Sequence, residues 1–212
     1  GTLMLGKASN KKIVGGLLAA GSSQRMGKIN KLLFEIKGVP MVRKVAIEML
    51  KSNLDSCFAV TGYESERVAK ALEGLPIKII KNHQWKDGQG TSVSKVATKL
   101  NNDSADLMIM LGDLPSVKTE HFNYLIKSHT DIMNSEFTIT IPEYKGLKGN
   151  PVIWGRSYMP QLKELSGELG GRKLFKKYLK EINSVEINSD CIISDVDTSE
   201  ALNPMVKRTE LS

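Results

Sequence analysis

The chain has 212 residues, 41% of them apolar and 25% charged, which is enough for one sizeable core and excludes a wholly disordered or fibrous protein. Thirty Lys and Arg against 23 Asp and Glu give a formal charge of +7, yet the cations are spread along the chain without interleaved stacking aromatics, which argues against a nucleic-acid binder. The longest nearly apolar run, 13–20, is broken by Gly15 and Gly16 and falls far short of the roughly 18–20 residues of a membrane span. No membrane association is expected, and without a secretory leader pattern a cytoplasmic protein is.

Cys57 and Cys191 form no C-x-x-C pair and read as buried, inert thiols. His83, His121 and His129 lack metal-ligand spacing and read as surface or structural residues.

In chain order, a strand is predicted at 13–18, then a glycine-bearing loop at 20–30, and a helix from Pro40 to about Ser52 carrying Met41, Val42, Val45, Ala46 and Met49 at helical spacing. A strand at 57–61 ends at Gly62, a helix follows at 65–72, and a short strand at 77–80. A polar loop at 82–91 leads to a helix at 92–100 and a fully apolar strand at 107–111 that ends in Gly112 and Asp113. Beyond a helix at 119–128, strands at 137–141 and 152–154 flank a turn-rich insertion with Gly146 and Gly149. Helices at 158–165 and 173–182, a strand at 185–187, the Asp195–Thr198 segment and a final short helix complete the chain. On the 173–182 helix Arg172, Lys173, Lys176, Lys177 and Lys180 would form a solvated basic face.

Repeated strand, loop and helix units imply an α/β fold with a mostly parallel sheet, and a single domain is expected, with 13–118 as its nucleotide half and 119–202 as its acceptor half. Ligands bind beyond the carboxyl ends of such strands, where the loops at Ala20, Gly62, Asn82 and Asp113 would converge.

The strongest local signal is the run from Leu18 through Ala19, Ala20, Gly21, Ser22, Ser23, Gln24, Arg25 and Met26 to Gly27, followed by Lys28, Ile29, Asn30 and Lys31. It is not a Walker A loop, because Gly21 to Gly27 is one residue too long and Ile29 stands where the metal-binding hydroxyl belongs. A G-x-G-x-x-G dinucleotide loop is also absent from it. What remains is a glycine-permitted turn with small hydroxyls, a guanidinium at Arg25 and an ammonium at Lys31, which together suit a triphosphate. The competing reading is a basic surface loop.

With Asn30 to Leu33, this run resembles the L-A-A-G-x-S-x-R-M-G and N-K-L-L elements of the MobA-like nucleotidyltransferases. Asn82, Gly88, Gly90 and Ser92 resemble that family's N-x(5)-G-x-x-S segment, and Leu111 to Pro115 its L-G-D-x-P. Gly146 to Pro151 is similar to G-x-x-G-H-P with Asn150 for His, and Gly167 to Arg172 to G-D-x-G-[AG]-R with Glu168 for Asp. Asp195 to Glu200 is similar to D-I-D-T-P-E with Ser199 for Pro, so the resemblance spans about 13–202. Ala20 in place of glycine, with the G-N-P and D-V-D-T elements, resembles the molybdenum cofactor cytidylyltransferases more than the guanylyltransferases.

The resemblance implies a three-layer Rossmann-like nucleotidyltransferase fold with a small acceptor-binding insertion, transferring CMP from CTP to the phosphate of molybdopterin. It implies Arg25, Lys31 and Asp113 as catalytic residues, and Mg2+ held by Asp113 and Asp197. Leu18, Ala19, Ala20, Gly21, Ser22, Arg25 and Lys31 would hold the nucleotide together with Thr61, Gly62, Asn82, Gly88, Gly90 and Ser92. Gly149, Asn150, Gly170, Gly171 and Arg172 would hold the acceptor, although structural turns explain those glycines equally well. Product release implies transient docking to a molybdenum hydroxylase or its maturation chaperone, with the basic 172–180 segment as one surface. Two other readings stand beside this one: a relative using GTP or another phosphate acceptor, and a non-catalytic cofactor carrier.

Overall fold

The structure is a computed structural model and describes residues 11–21, 30–100 and 104–195. Expectations for Ser22, Arg25, Asp197 and the final helix lie outside the described residues.

The apolar run near the start forms β1 (Lys12–Ala19), buried on both faces from its second residue. A 3-10 turn at Lys31–Leu33 and a two-residue-strand hairpin, β2 (Glu35–Ile36) and β3 (Val39–Pro40), lead into α1 (Met41–Lys51). That hairpin turns on Lys37 and Gly38, both at positive φ, the backbone a tight two-residue turn requires. Then come β4 (Ser56–Thr61), α2 (Ser65–Ala71), β5 (Lys78–Lys81), α3 (Gln89–Lys99) and β6 (Ala105–Leu111). The later half holds α4 (Thr119–Thr130), β7 (Ile139–Tyr144), β8 (Leu147–Lys148), β9 (Val152–Trp154), α5 (Met159–Lys163) and β10 (Ile182–Glu186).

One sheet runs in the order β10-β7-β9-β6-β1-β4-β5, with β8 paired to β7. Its pairs are parallel except those made by β9 and β8. Alternation along the central strands divides the core into two layers. Ile13 and Leu17 of β1 pack with α1, α2 and α4, whereas Val14 and Leu18 pack with α3 and α5. A Cβ at Gly16 would come within 3.2 Å of Val96 on α3, so glycine there lets that helix sit close to the sheet.

A buried polar bridge ties the later strands to this core: His129 of α4 pairs through Nε2 with Asp106 Oδ2 at 2.8 Å and through Nδ1 with Thr140 Oγ1 at 2.7 Å. Asp106 Oδ1 accepts from the Arg156 backbone N–H as well. His129 is therefore structural, as expected, and both cysteines are buried and free.

Several boundaries differ from the sequence reading. The expected helix at 173–182 is absent; two 3-10 turns, Gly170–Leu174 and Leu179–Glu181, take its place, and β10 starts at Ile182 instead of residue 185. Gly170 at φ +56 breaks helical entry, and Phe175 stacks on Trp154 while Tyr178 meets Tyr158 edge-on. Leu174, Phe175 and Tyr178 thus follow a fixed aromatic cluster, which overrides their helical spacing. The 158–165 helix shortens to α5, β7 begins after Phe137, and α3 opens at Gln89 directly behind Gly88 at φ +103.

Candidate functional site

The carboxyl ends of β1, β4, β5 and β6 bring Ala20, Gly62, Asn82 and Asp113 to one edge of the sheet. Because β9 runs antiparallel, its entry at Asn150 and Pro151 comes to the same edge. The chain reaches it through Gly149, whose N–H donates to Pro142 O at 2.9 Å, and through a cis peptide bond between Asn150 and Pro151.

Lys31 stands at the centre of the charged groups. Its Nζ lies 3.1 Å from Asp113 Oδ2 and 3.3 Å from Asp195 Oδ2. The 3-10 turn that carries it is capped by Asn30, whose Oδ1 accepts from Leu32 N–H at 3.1 Å. Leu32 lies against Gly112, whose N–H donates to Leu18 O, so the turn is seated on the ends of β1 and β6. Asp113 Oδ1 is buried and accepts no hydrogen bond from the described residues. A carboxylate oxygen without a donor, beside a second carboxylate, suits a hard divalent cation, so the residues present fit one.

At the β1 and β4 ends, Ala20 O accepts from Tyr63 N–H at 2.9 Å. A Cβ at Gly62 would lie 2.6 Å from Trp85 Cβ and 2.9 Å from Ala20 Cβ, so glycine lets the three close up. Tyr63 and Trp85 pack with ring centroids 5.5 Å apart. Thr61 is buried and its hydroxyl pairs with Ser65.

Asn82 is fully buried and fully used. Its Nδ2 donates to Thr91 Oγ1 at 2.9 Å and Ser92 Oγ at 3.0 Å, and its Oδ1 accepts from Gln84 N–H. Its backbone N–H donates to Thr61 O at 2.7 Å. Asn82 therefore holds the 82–92 loop in shape. Gly88 and Gly90 are explained by close backbone packing: added Cβ atoms would fall 2.2 Å from Gly167 C and 2.7 Å from Ser166. Gly90 N–H donates to Gly167 O, and Gly167 N–H to Asp87 O, which stitches the loop to 166–167.

The acceptor candidates fall into two groups. Gly149 packs against Ile192 O, and Asn150 N–H donates to that same carbonyl, beside the segment that carries Asp195. Gly170 meets the Gln89 side chain at the start of α3, Gly171 lies on the Trp154 ring, and Arg172 is exposed. Sequence reasoning chose Asp197 as the second carboxylate; among the described residues it is Asp195 that reaches Lys31. Trp85 and Tyr63 were not singled out, although Trp85 sits inside the segment bounded by Asn82 and Ser92.

No helix among the described residues is long and apolar enough to cross a membrane. The family model for the MobA-like NTP transferase domain matches residues 15–182. Over 205 residues the chain is 29% identical to purine catabolism protein PucB of Bacillus subtilis, covering 92% of this chain and 96% of that one. It is 24% identical to nicotine blue oxidoreductase of Paenarthrobacter nicotinovorans, over 90% and 94% of the two chains. Against bifunctional protein GlmU of Synechococcus sp. (strain JA-3-3Ab) it is 27% identical and spans only 19% of that protein's length. The fold matches the crystal structure of Rv0371c from Mycobacterium tuberculosis with a TM-score of 0.78 at 20% identity, over 93% and 98% of the chains. The motifs, the sheet and the family match agree: the chain belongs to the MobA-like NTP transferase family of nucleotidyltransferases.

Proposed function

We propose that the protein transfers CMP from CTP to the phosphate of molybdopterin, releasing pyrophosphate. The observation that carries this reading is the Lys31, Asp113 and Asp195 cluster at the carboxyl edge of the sheet, with one Asp113 oxygen left without a donor. Ala20 in the first loop, where the guanylyltransferase pattern has glycine, supports a cytidylyltransferase within the family.

An acceptor phosphate oxygen bonds to the α-phosphorus of CTP while the bridging bond to the β-phosphate breaks, and pyrophosphate leaves with that electron pair. An acceptor phosphate is already anionic near neutral pH, so positioning and charge neutralisation carry the reaction and no general base is required. Asp113, with Asp195 or Asp197, would hold Mg2+, which when bound supplies positive charge to the phosphates. Lys31 exchanges its two carboxylate partners for phosphate oxygens, and Arg25 forks across others. Backbone N–H groups from Leu18 to Ser22 approach the triphosphate, and Thr61, Gly62 and the 82–92 loop border the nucleoside. Gly149, Asn150 and the 170–172 turn receive the acceptor, and the exposed cations of 172–180 offer a docking surface to a client molybdenum hydroxylase or its chaperone.

The test is incubation of the purified protein with Mg2+, each nucleoside triphosphate in turn and molybdopterin, followed by mass analysis. A cytidylyl adduct with stoichiometric pyrophosphate is expected. A guanylyl product, or transfer to a sugar phosphate instead, would refute the CTP and molybdopterin assignment. Cofactor retention without pyrophosphate release would favour the carrier.

A further inference from the structure

Asn30 has more hydrogen-bonding capacity than its structural task uses. The residue is 2% exposed, and its Oδ1 caps the 3-10 turn by accepting from Leu32 N–H at 3.1 Å. Capping needs an oxygen only, and Ser, Asp or Thr provides one as well. The other end of the amide, Nδ2, is buried and has no hydrogen-bond partner among the described residues. A buried donor without an acceptor is costly, and a partner that arrives during function is one reason for a native structure to retain one.

The position of this donor indicates the partner. Asn30 directly precedes Lys31, on a turn seated against Gly112 where β1 and β6 end. Lys31 reaches Asp113 Oδ2, and Asp113 Oδ1 is also buried without a hydrogen-bond partner among the described residues. Among the described residues there is thus a donor without an acceptor on the residue that precedes Lys31, and an acceptor without a donor on the carboxylate that Lys31 contacts. An anionic oxygen satisfies the first and a cation the second, and a metal-bound polyphosphate brings both together.

We infer that Asn30 is a further nucleotide-binding residue, whose side-chain amide donates to a phosphate oxygen of the triphosphate. The inference rests on the nucleotidyltransferase reading but not on the choice of base or acceptor. It concerns phosphate, so its effect is the same for every base.

Calorimetric titration of CTP, GTP and tripolyphosphate, each with Mg2+, into wild type and Asn30→Ser tests it. Serine keeps the capping oxygen and removes the donor, and about tenfold weaker binding of all three ligands is expected, because a hydrogen bond to a charged group is lost. Affinity for tripolyphosphate within twofold of wild type, or a loss confined to one base, overturns the inference. Asn30→Asp keeps both length and cap, and is expected to bind at least as weakly as Asn30→Ser. Should either variant fail to fold, the wild type alone decides. The Asn30 side-chain amide resonance, recognised after residue-selective labelling, must shift on saturation with tripolyphosphate and Mg2+, and an unmoved resonance overturns the inference. Wild type that binds none of the three ligands refutes the nucleotidyltransferase reading itself, whereas tight wild-type binding with an unaffected Asn30→Ser refutes only the role of Asn30.

Discussion

Replacing Asp113 by Asn separates the Lys31 ion pair its carboxylate makes from the metal binding proposed for it. Oδ2 faces Lys31 Nζ at 3.1 Å, a separation at which two unit charges attract by about 5 kcal/mol at an effective dielectric of about 20, before desolvation. The Lys31 and Asp113 side chains are 15% and 25% exposed, and Lys31 keeps Asp195 as a partner. Desolvation and that second partner offset most of the attraction, so the net loss of stability is expected to be about 1 kcal/mol. Catalysis should suffer far more if Asp113 holds the metal as proposed, because Oδ1 has no donor among the described residues and an amide would bring no charge to a cation there. Turnover is expected to fall a hundredfold or more, equivalent to about 2.7 kcal/mol or above in the transition state. Pyrophosphate release measured across a Mg2+ titration, with urea unfolding alongside, checks both parts. Near-wild-type turnover at saturating Mg2+ would refute the assignment of Asp113, whatever the stability result.

Lys31→Ala and Arg25→Ala should each lower kcat/KM by about 2–4 kcal/mol if their charges meet the triphosphate; unchanged steady-state kinetics in both would return the first loop to a basic surface loop. Gly90→Ala pushes a methyl to 2.7 Å from the Ser166 backbone, and overpacking of this kind costs about 1–3 kcal/mol. Calorimetry should show Tm lower by roughly 3–10 °C for a chain of this size, and an unchanged Tm would contradict the tight loop packing. Burial pushes the Cys57 thiol up to about 11, from 9.0. The folded state therefore holds a proton that the unfolded chain releases, so the contribution is intact below pH 9, declines as pH rises and is lost through pH 11; Cys57→Ala should flatten that window by about 2–3 kcal/mol in urea melts. CTP should be preferred over GTP by at least about a hundredfold in kcat/KM, with Ala20→Gly relaxing the preference, and equal use of GTP by wild type would exclude cytidylyl transfer.

Legibility in the sequence followed the range of the forces involved. The alternation of buried strands with amphipathic helices disclosed α1 to α4 and the parallel sheet, because each of those elements buries one periodic stripe. Residues 173–182 were misread as a helix because Leu174, Phe175 and Tyr178 have helical spacing locally, and their conformation is set by Trp154 and Tyr158, which lie distant in sequence. At the site, residue type announced Lys31 and Asp113, but their 3.1 Å contact joins positions 82 residues apart. The glycines at 88 and 90 were legible as special positions; that their missing side chains admit the 166–167 backbone required the fold.

The two ends of the site are built differently, and this bears on how each can change. At the proposed phosphate end the chemistry lies in side chains with unmatched valence among the described residues, Asn30 Nδ2 beside Lys31 in sequence and Asp113 Oδ1 on its partner, so isosteric changes of charge there should alter affinity and rate with little change in fold. At the proposed nucleoside end the side chain of Asn82 is already bonded to Gln84, Thr91 and Ser92. Ala20 and Gly62 meet through packing, and Gly88 and Gly90 through backbone contact with 166–167. Discrimination between bases then depends on the position of main-chain groups, which is set by how closely these small residues pack. Substitutions at Ala20 or Gly62 should therefore shift base preference and stability together, whereas those around Lys31 should separate affinity from stability.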